Sequence, residues 1–251
     1  MKWRLPWPFR PVRKSGFVLA LGGGGGRGLA HVGVLEVLEQ HKLMPNAIVG
    51  TSIGALFGVL YALRPDAANL RRQAMAMIES DTFEDLDLPV LDETETGDWS
   101  WLARIVNAAK KTALFTKAAT DIAVADTDAL RALVAMYTKG KSFSDTKIPV
   151  FVTAVKFPSG ECRLFSREDR LPLADAIAAS MAIPGVFDPV AVDGDLYVDG
   201  GLASELPARE ARMVAREGES IVAVNVGARP RPDVRPDSVY GMLDWASQIK
   251  S

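Results

Sequence analysis

The chain of 251 residues contains a single cysteine, Cys162, and only two histidines, His31 and His41. One cysteine excludes an internal disulfide framework and fits a reducing compartment. So few thiols and imidazoles leave no zinc site of the usual composition, and neither a metal nor an organic cofactor is expected. Excess charge is also missing. Lys+Arg number 29 against 31 Asp+Glu, a net charge of −2, so the basic surface that a nucleic-acid partner requires is absent. Long apolar runs are lacking too. The uncharged stretch 47–63 falls just short of a membrane span and begins as a strand, which assigns it to the core. The glycine-rich run 22–28 is not followed by Lys-Ser or Lys-Thr, which excludes a P-loop. Cys162 sits in an alternating, strand-like segment, 160–165, and does not read as a nucleophile. Hydrophobic content of 48% with 24% charged residues is ordinary for a soluble globular domain, and the length suits one large domain or one with an insertion.

Against these absences one stretch stands out. Ala47-Ile48-Val49 reads as the end of a buried strand and residues 55–63 as an apolar helix. Between them lies Gly50-Thr51-Ser52-Ile53-Gly54. A strand that turns sharply into a helix brings backbone segments too close for side chains two positions either side of the tip, which accounts for Gly50 and Gly54. The tip residue is strained and projects outward, in front of the unpaired N–H groups of the helix. A serine in that place is positioned as a nucleophile.

Upstream, the predicted strand 16–21 runs into Gly22-Gly23-Gly24-Gly25-Gly26-Arg27-Gly28, and residues 29–40 carry helical periodicity. Strand, glycine loop and helix together aim backbone N–H groups at an anion. Gly23-x-Gly25-x-x-Gly28 also matches the dinucleotide fingerprint. That reading needs an acidic residue at the end of the second strand, and the Gly50–Gly54 turn stands there instead. The better use of the loop is an oxyanion hole, in which preorganised N–H donors stabilise the charge of a tetrahedral intermediate by about 3 kcal/mol each. Arg27 either buttresses this loop or contacts an anionic substrate group.

Further along, helices are expected over 67–80, 128–137 and 173–182 and strands over 148–155, 196–198 and 221–226, the last of them buried. The strand 196–198 delivers Asp199-Gly200-Gly201, an acid at a strand end with small neighbours that leave it room to reach into a site. A turn aspartate is the plainer alternative. The histidines decide between mechanisms. Both precede Ser52, so the order serine, acid, histidine of an α/β-hydrolase is impossible. A histidine-first triad would need His31 or His41 poised over Ser52, and His31 reads as packed or capped on its helix. A Ser–Asp pair remains, with Asp199 taking the serine proton directly.

The glycine loop with Arg27, the Gly50–Gly54 turn, the block Ala179-Ser180-Met181-Ala182-Ile183-Pro184-Gly185-Val186-Phe187, and Asp199-Gly200-Gly201 occur in this order. Together they resemble the patatin-like phospholipase family, particularly its bacterial members, over residues 16–227. The resemblance implies an α/β fold, a three-layer α/β/α sandwich around a central, mostly parallel sheet. It implies a dyad of Ser52 and Asp199 with an oxyanion hole from the N–H groups of Gly24, Gly25 and Gly26, supported by Gly23, Arg27, Gly28, Gly50, Gly54, Gly200 and Gly201. The implied activity is metal-free hydrolysis of acyl esters in lipids, with a non-catalytic lipid- or partner-binding protein on the same fold as the alternative. One departure is plain: Ser204-Glu205-Leu206-Pro207 stands where the family usually has one or two asparagines before Leu-Pro. Glu205 thereby adds a carboxylate that bears on headgroup preference.

The expected domain covers 16–228, with a helical, lid-like insertion over about 81–145 that includes an amphipathic stretch at 99–125. Residues 1–15 form a basic, aromatic, proline-broken tail in which Trp3, Trp7 and Phe9 suit peripheral contact with a membrane surface. It does not read as a secretory leader. The expected location is cytoplasmic, with the tail at the inner membrane surface. Residues 229–251 are rich in proline and arginine and then weakly helical, compatible with a chain that continues further.

Overall fold

The computed structural model describes residues 16–80 and 127–227. The expected tail, the stretch 81–126 of the lid-like insertion and the C-terminal segment from 228 lie outside the described residues. Among the described residues, seven strands form one mixed sheet: β1 (Phe17–Leu21), β2 (Ala47–Thr51), β3 (Val150–Phe157), β4 (Glu161–Phe165), β5 (Val190–Val192), β6 (Asp195–Asp199) and β7 (Ser220–Val224). Strands β7, β1, β2 and β3 run parallel, and β4, β5 and β6 join antiparallel. The helices are α1 (Ala30–Gln40), α2 (Ile53–Leu63), α3 (Ala67–Ile78), α4 (Thr127–Thr138), α5 (Leu173–Met181) and α6 (Ala208–Val214). This is a three-layer α/β/α sandwich.

The alternation of side chains along β1 and β2 separates the two helical layers. Leu19, Leu21 and Ile48 point into the larger core, with Leu35 of α1, Leu56 and Tyr61 of α2, Leu70 of α3, Leu130 of α4 and Ile177 of α5. Val18, Ala20, Ala47 and Val49 face the opposite side and pack on Ala211 and Val214 of α6. Every residue of α2 from Ile53 to Ala62 is buried, which explains its lack of an amphipathic pattern. The last part of the expected insertion, residues 127–145, belongs to this packing: Leu130, Leu133 and Val134 of α4 and Phe143 beyond it are all buried. At its start α3 is closed by Asp66, whose side chain accepts the Asn69 N–H at 2.8 Å, as an N-cap should.

One expectation is corrected. The strand anticipated at 221–226 as buried is β7, an edge strand paired only with β1, and its residues are exposed or half-buried among the described residues. Its apolar residues Val224 and Ile221 lie half-buried against the larger and the smaller core, as befits the edge of the sheet. Helix α6 was not anticipated, because its seven residues carry only two buried positions, Glu210 and Ala211.

The register around β3 brings the site together. One edge of β3 pairs with β4 from Val152 to Lys156. The other edge is shared, by β2 along Val150–Thr153 and by β6 along Ala154–Phe157. Thr51, the last residue of β2, pairs with Thr153, and Asp199, the last of β6, pairs with Ala154. The two strands run toward each other along one edge and their C-terminal ends meet.

That meeting requires Gly200, where a Cβ would lie 2.4 Å from the Thr153 Oγ1 and 2.6 Å from its carbonyl oxygen. Gly200→Ala is therefore expected to cost about 3 kcal/mol of overpacking. Gly194→Ala, at φ +85° in open space, is expected to cost only about 1 kcal/mol of left-handed strain. Urea unfolding of the two variants checks this, and equal losses would contradict the close approach.

Candidate active site

Ser52 occupies the tip between β2 and α2 with φ 52° and ψ −121°. A residue with a side chain adopts this region at a cost of about 1–3 kcal/mol and holds it only where its surroundings dictate. Those surroundings are tight. A Cβ on Gly50 would lie 2.5 Å from the Ala55 Cα, and one on Gly54 would lie 2.3 Å from the Leu21 carbonyl oxygen. The Ser52 N–H, which cannot enter α2, donates to the Ser180 Oγ at 2.8 Å.

The Ser52 hydroxyl lies beside the Asp199 carboxyl, near enough to draw its pKa down. Asp199 also accepts the Gly201 N–H at 2.6 Å, and its own N–H donates to the Ala182 carbonyl at 2.8 Å. Both residues are buried. Burial pushes the Asp199 carboxyl up to about 6, against the opposing pull of the Gly201 N–H and the Ser52 hydroxyl, and the nearby Glu205 carboxylate adds to the rise. Two threonines brace the junction from below. The Thr51 and Thr153 hydroxyls are 2.7 Å apart, and Thr51 donates to the Ser204 carbonyl at 3.0 Å.

The glycine loop lies directly over this pair. Gly23 is adjacent to Ser52, whose Cβ would stand 3.6 Å from a Gly23 Cβ. Gly22 and Gly23 commit their N–H groups to the carbonyls of Val224 and Glu205, at 3.1 and 2.8 Å. Gly24, at φ +148°, then turns the chain against Val226, leaving no room for a side chain. Gly25 and Gly26 open a 3-10 helix over Gly25–Leu29, and N–H groups at the start of such a turn have no acceptor within it. Gly28 packs on Ile53, where a Cβ would meet that side chain at 2.4 Å. The Arg27 Nε donates to the Val226 carbonyl at 2.9 Å.

Neither histidine reaches Ser52. His31 is fully buried on α1, and its Nε2 donates to the Gly22 carbonyl at 2.8 Å, tying the glycine loop to the helix behind it. Burial lowers its pKa more than this hydrogen bond raises it, so the ring is neutral at pH 7, and Nδ1 has no partner among the described residues. His41 caps the far end of α1 and is exposed. Sequence reasoning gave Ser180 no role of its own, and missed Thr51, Thr153 and the Ala182 carbonyl. Buried hydroxyls that bond backbone across more than a hundred residues leave no local pattern to find. Glu205, flagged for its departure, is half-buried near both Asp199 and Arg27. Burial raises its pKa, and the Arg27 charge opposes the rise. No group of three or more His, Cys, Asp or Glu side chains among the described residues could hold a metal ion.

With this geometry established, comparison with known proteins defines the family. The family model described as "Patatin-like phospholipase" matches residues 19–212, and the chain belongs to that family. It is 28% identical over 252 residues to the human patatin-like phospholipase domain-containing protein 6, covering 96% of this chain and 16% of that one. It is 29% identical over 238 residues to lysophospholipase NTE1 of Saccharomyces cerevisiae, covering 89% of this chain and 11% of that one. An uncharacterized NTE family protein of Mycobacterium bovis is 30% identical over 232 residues, 92% of this chain and 54% of that one. The chain thus spans about a sixth of the first curated relatives it matches. Among solved structures, VipD from Legionella pneumophila aligns over 82% of this chain and 48% of its own, at 16% identity and a TM-score of 0.47.

The raised Asp199 carboxyl has a consequence for stability. The folded state holds its proton up to about pH 6, whereas an unfolded chain releases it near 3.9. The contribution is therefore fully present below about pH 4 and is lost as pH rises through 6, a loss of about 3 kcal/mol for two pKa units. Asp199→Asn, which is never charged, is expected to be more stable than the parent at pH 7.5 and nearly equal to it at pH 4. Chemical unfolding at both pH values checks this, and a pH-independent difference would contradict it.

Proposed function

We propose that the chain is a serine acyl-hydrolase that cleaves fatty-acyl esters of lipids, with Ser52 as nucleophile and Asp199 as its proton acceptor. The meeting of the strained Ser52 turn with the buried Asp199 at the facing ends of β2 and β6 carries this reading, because no imidazole competes for either partner. Membership of the patatin-like phospholipase family supports it, as does the printed name of the yeast relative, a lysophospholipase.

In this reading the Ser52 Oγ attacks the ester carbonyl carbon while its proton passes to Asp199. The tetrahedral oxyanion accepts hydrogen bonds from the glycine loop, the N–H groups of Gly24, Gly25 and Gly26. Breakdown expels the alcohol, which takes the proton back from Asp199 and leaves an acyl-enzyme. Asp199 then deprotonates a water that attacks the acyl carbon, and as the intermediate collapses the departing Ser52 oxygen takes that proton back from Asp199 and the fatty acid is released. A carboxylate at its ordinary pKa is a weak base for this purpose. Burial that lifts Asp199 to about 6 brings it nearer the operating pH, where general-base catalysis is most effective.

Membrane contact through residues 1–15 and a lid within 81–126 are further proposals, resting on sequence alone. No helix among the described residues is long and apolar enough to cross a membrane.

Release of p-nitrophenol from a medium-chain ester tests the reading. Ser52→Ala is expected to reduce turnover by at least a thousandfold while retaining a cooperative thermal transition. In the parent, kcat/KM should fall on the acid side with a midpoint near pH 6, because the base must be ionised. Activity retained in Ser52→Ala would overturn the assignment. A parent that hydrolyses neither this ester nor phospholipid vesicles would favour a binding protein on the same fold.

A further inference from the structure

The last turn of α5 touches both halves of the site. Ser180 is fully buried, and its Oγ accepts the Ser52 N–H at 2.8 Å across 128 residues of sequence. Two residues on, just past the helix, the Ala182 carbonyl accepts the Asp199 N–H at the same distance. One helix end therefore holds the backbone of the two residues whose side chains must meet. Helix α5 is well suited to act as a fixed support. Ala176, Ile177, Ala178, Ala179 and Ala182 are fully buried, and the helix packs on β3, β6 and α2, so its end cannot shift without disturbing the core.

The hydrogen bond from Ser52 matters because of the conformation it holds. At φ 52° the Ser52 N–H is turned away from α2 and from the β2 ladder, and Ser180 is its acceptor. We propose that Ser180 is a positioning residue for the reaction, holding Ser52 in the strained turn that presents its hydroxyl to Asp199. This role rests on the acyl-hydrolase reading. By taking the Ser52 N–H, Ser180 also removes it from the set of oxyanion donors and leaves that task to the glycine loop. The residue must be small, buried and able to accept a hydrogen bond, and alanine meets only the first two conditions.

The proposal separates positioning from mere packing through its effect on Asp199. The Ser52 hydroxyl beside it draws the Asp199 carboxyl down against burial. Of the charged groups facing Asp199, Glu205 raises it further, while Arg27 acts on Glu205 and His31 is neutral behind Gly22. None of these changes when Ser180 is replaced. If Ser180→Ala lets Ser52 relax and withdraw its hydroxyl, Asp199 loses that influence and titrates higher.

The test is the pH dependence of p-nitrophenyl butyrate hydrolysis by the parent, Ser180→Ala, Ser180→Cys and Ser180→Thr, each with its thermal transition recorded. In Ser180→Ala, kcat is expected to fall about 10- to 100-fold with KM within twofold, and the acid limb to move above the parent's midpoint. Ser180→Thr, which restores the hydroxyl, is expected to return both toward the parent. Ser180→Cys, a weaker acceptor of similar size, should lie between, and it carries the same two readouts if the alanine variant does not fold. An unchanged kcat, or a lowered melting temperature with the acid limb unmoved, would overturn the role of Ser180 and leave the hydrolase reading intact. A parent that neither turns over nor reacts at Ser52 would overturn both.

Discussion

The head-on meeting of β2 and β6 along one edge of β3 is the constraint on which the site depends. Adjacent positions of one strand, Thr153 and Ala154, pair with Thr51 and Asp199. The serine that follows Thr51 and the carboxylate of Asp199 are thereby brought side by side without any long loop to position them. Backbone pairing fixes the separation far more rigidly than side-chain packing alone would. The glycines follow from the same constraint. Gly50 and Gly54 permit the turn after β2, and Gly200 permits β6 to end against Thr153. Each stands where a methyl group would collide with backbone.

The electrostatics of the pair differ from those of a histidine-based site. Asp199 is buried, with the Gly201 N–H as its donor, the Ser52 hydroxyl beside it and Glu205 as a second negative charge nearby. The pocket disfavours the charged carboxylate enough to lift it to about 6, yet leaves it ionised near neutrality. A folded chain that keeps such a group ionised gives up stability at neutral pH, as functional sites commonly do. His31 serves the same site from behind. Neutral and buried, it bonds the Gly22 carbonyl and fixes the loop that crosses Ser52.

Much of this was legible in the sequence because it rests on local necessity. A serine between glycines at a strand-to-helix boundary announces a turn, and a run of glycines before a helix announces exposed N–H groups. The absence of any histidine after Ser52 excluded the serine, acid, histidine order, and the histidine-first order fell once His31 was placed against the Gly22 carbonyl. The features that stayed hidden are non-local. Nothing near Ser180 in sequence shows that its hydroxyl meets the Ser52 backbone, and nothing near Thr153 shows its bond to Thr51. The apolar sequence of β7 suggested enclosure, but an edge strand and a central one share the same composition when one partner strand suffices. Helix α6 escaped notice because its only buried residues are a glutamate and an alanine.

The central claim is that Ser52 is activated by Asp199 without a histidine. Its most direct test is labelling by a fluorophosphonate, with the modified peptide located by mass spectrometry and the rate compared between the parent and Asp199→Asn. The account predicts a single adduct on Ser52, formed at least a hundredfold more slowly in Asp199→Asn. A label on another residue, or equal rates in the parent and Asp199→Asn, would contradict it.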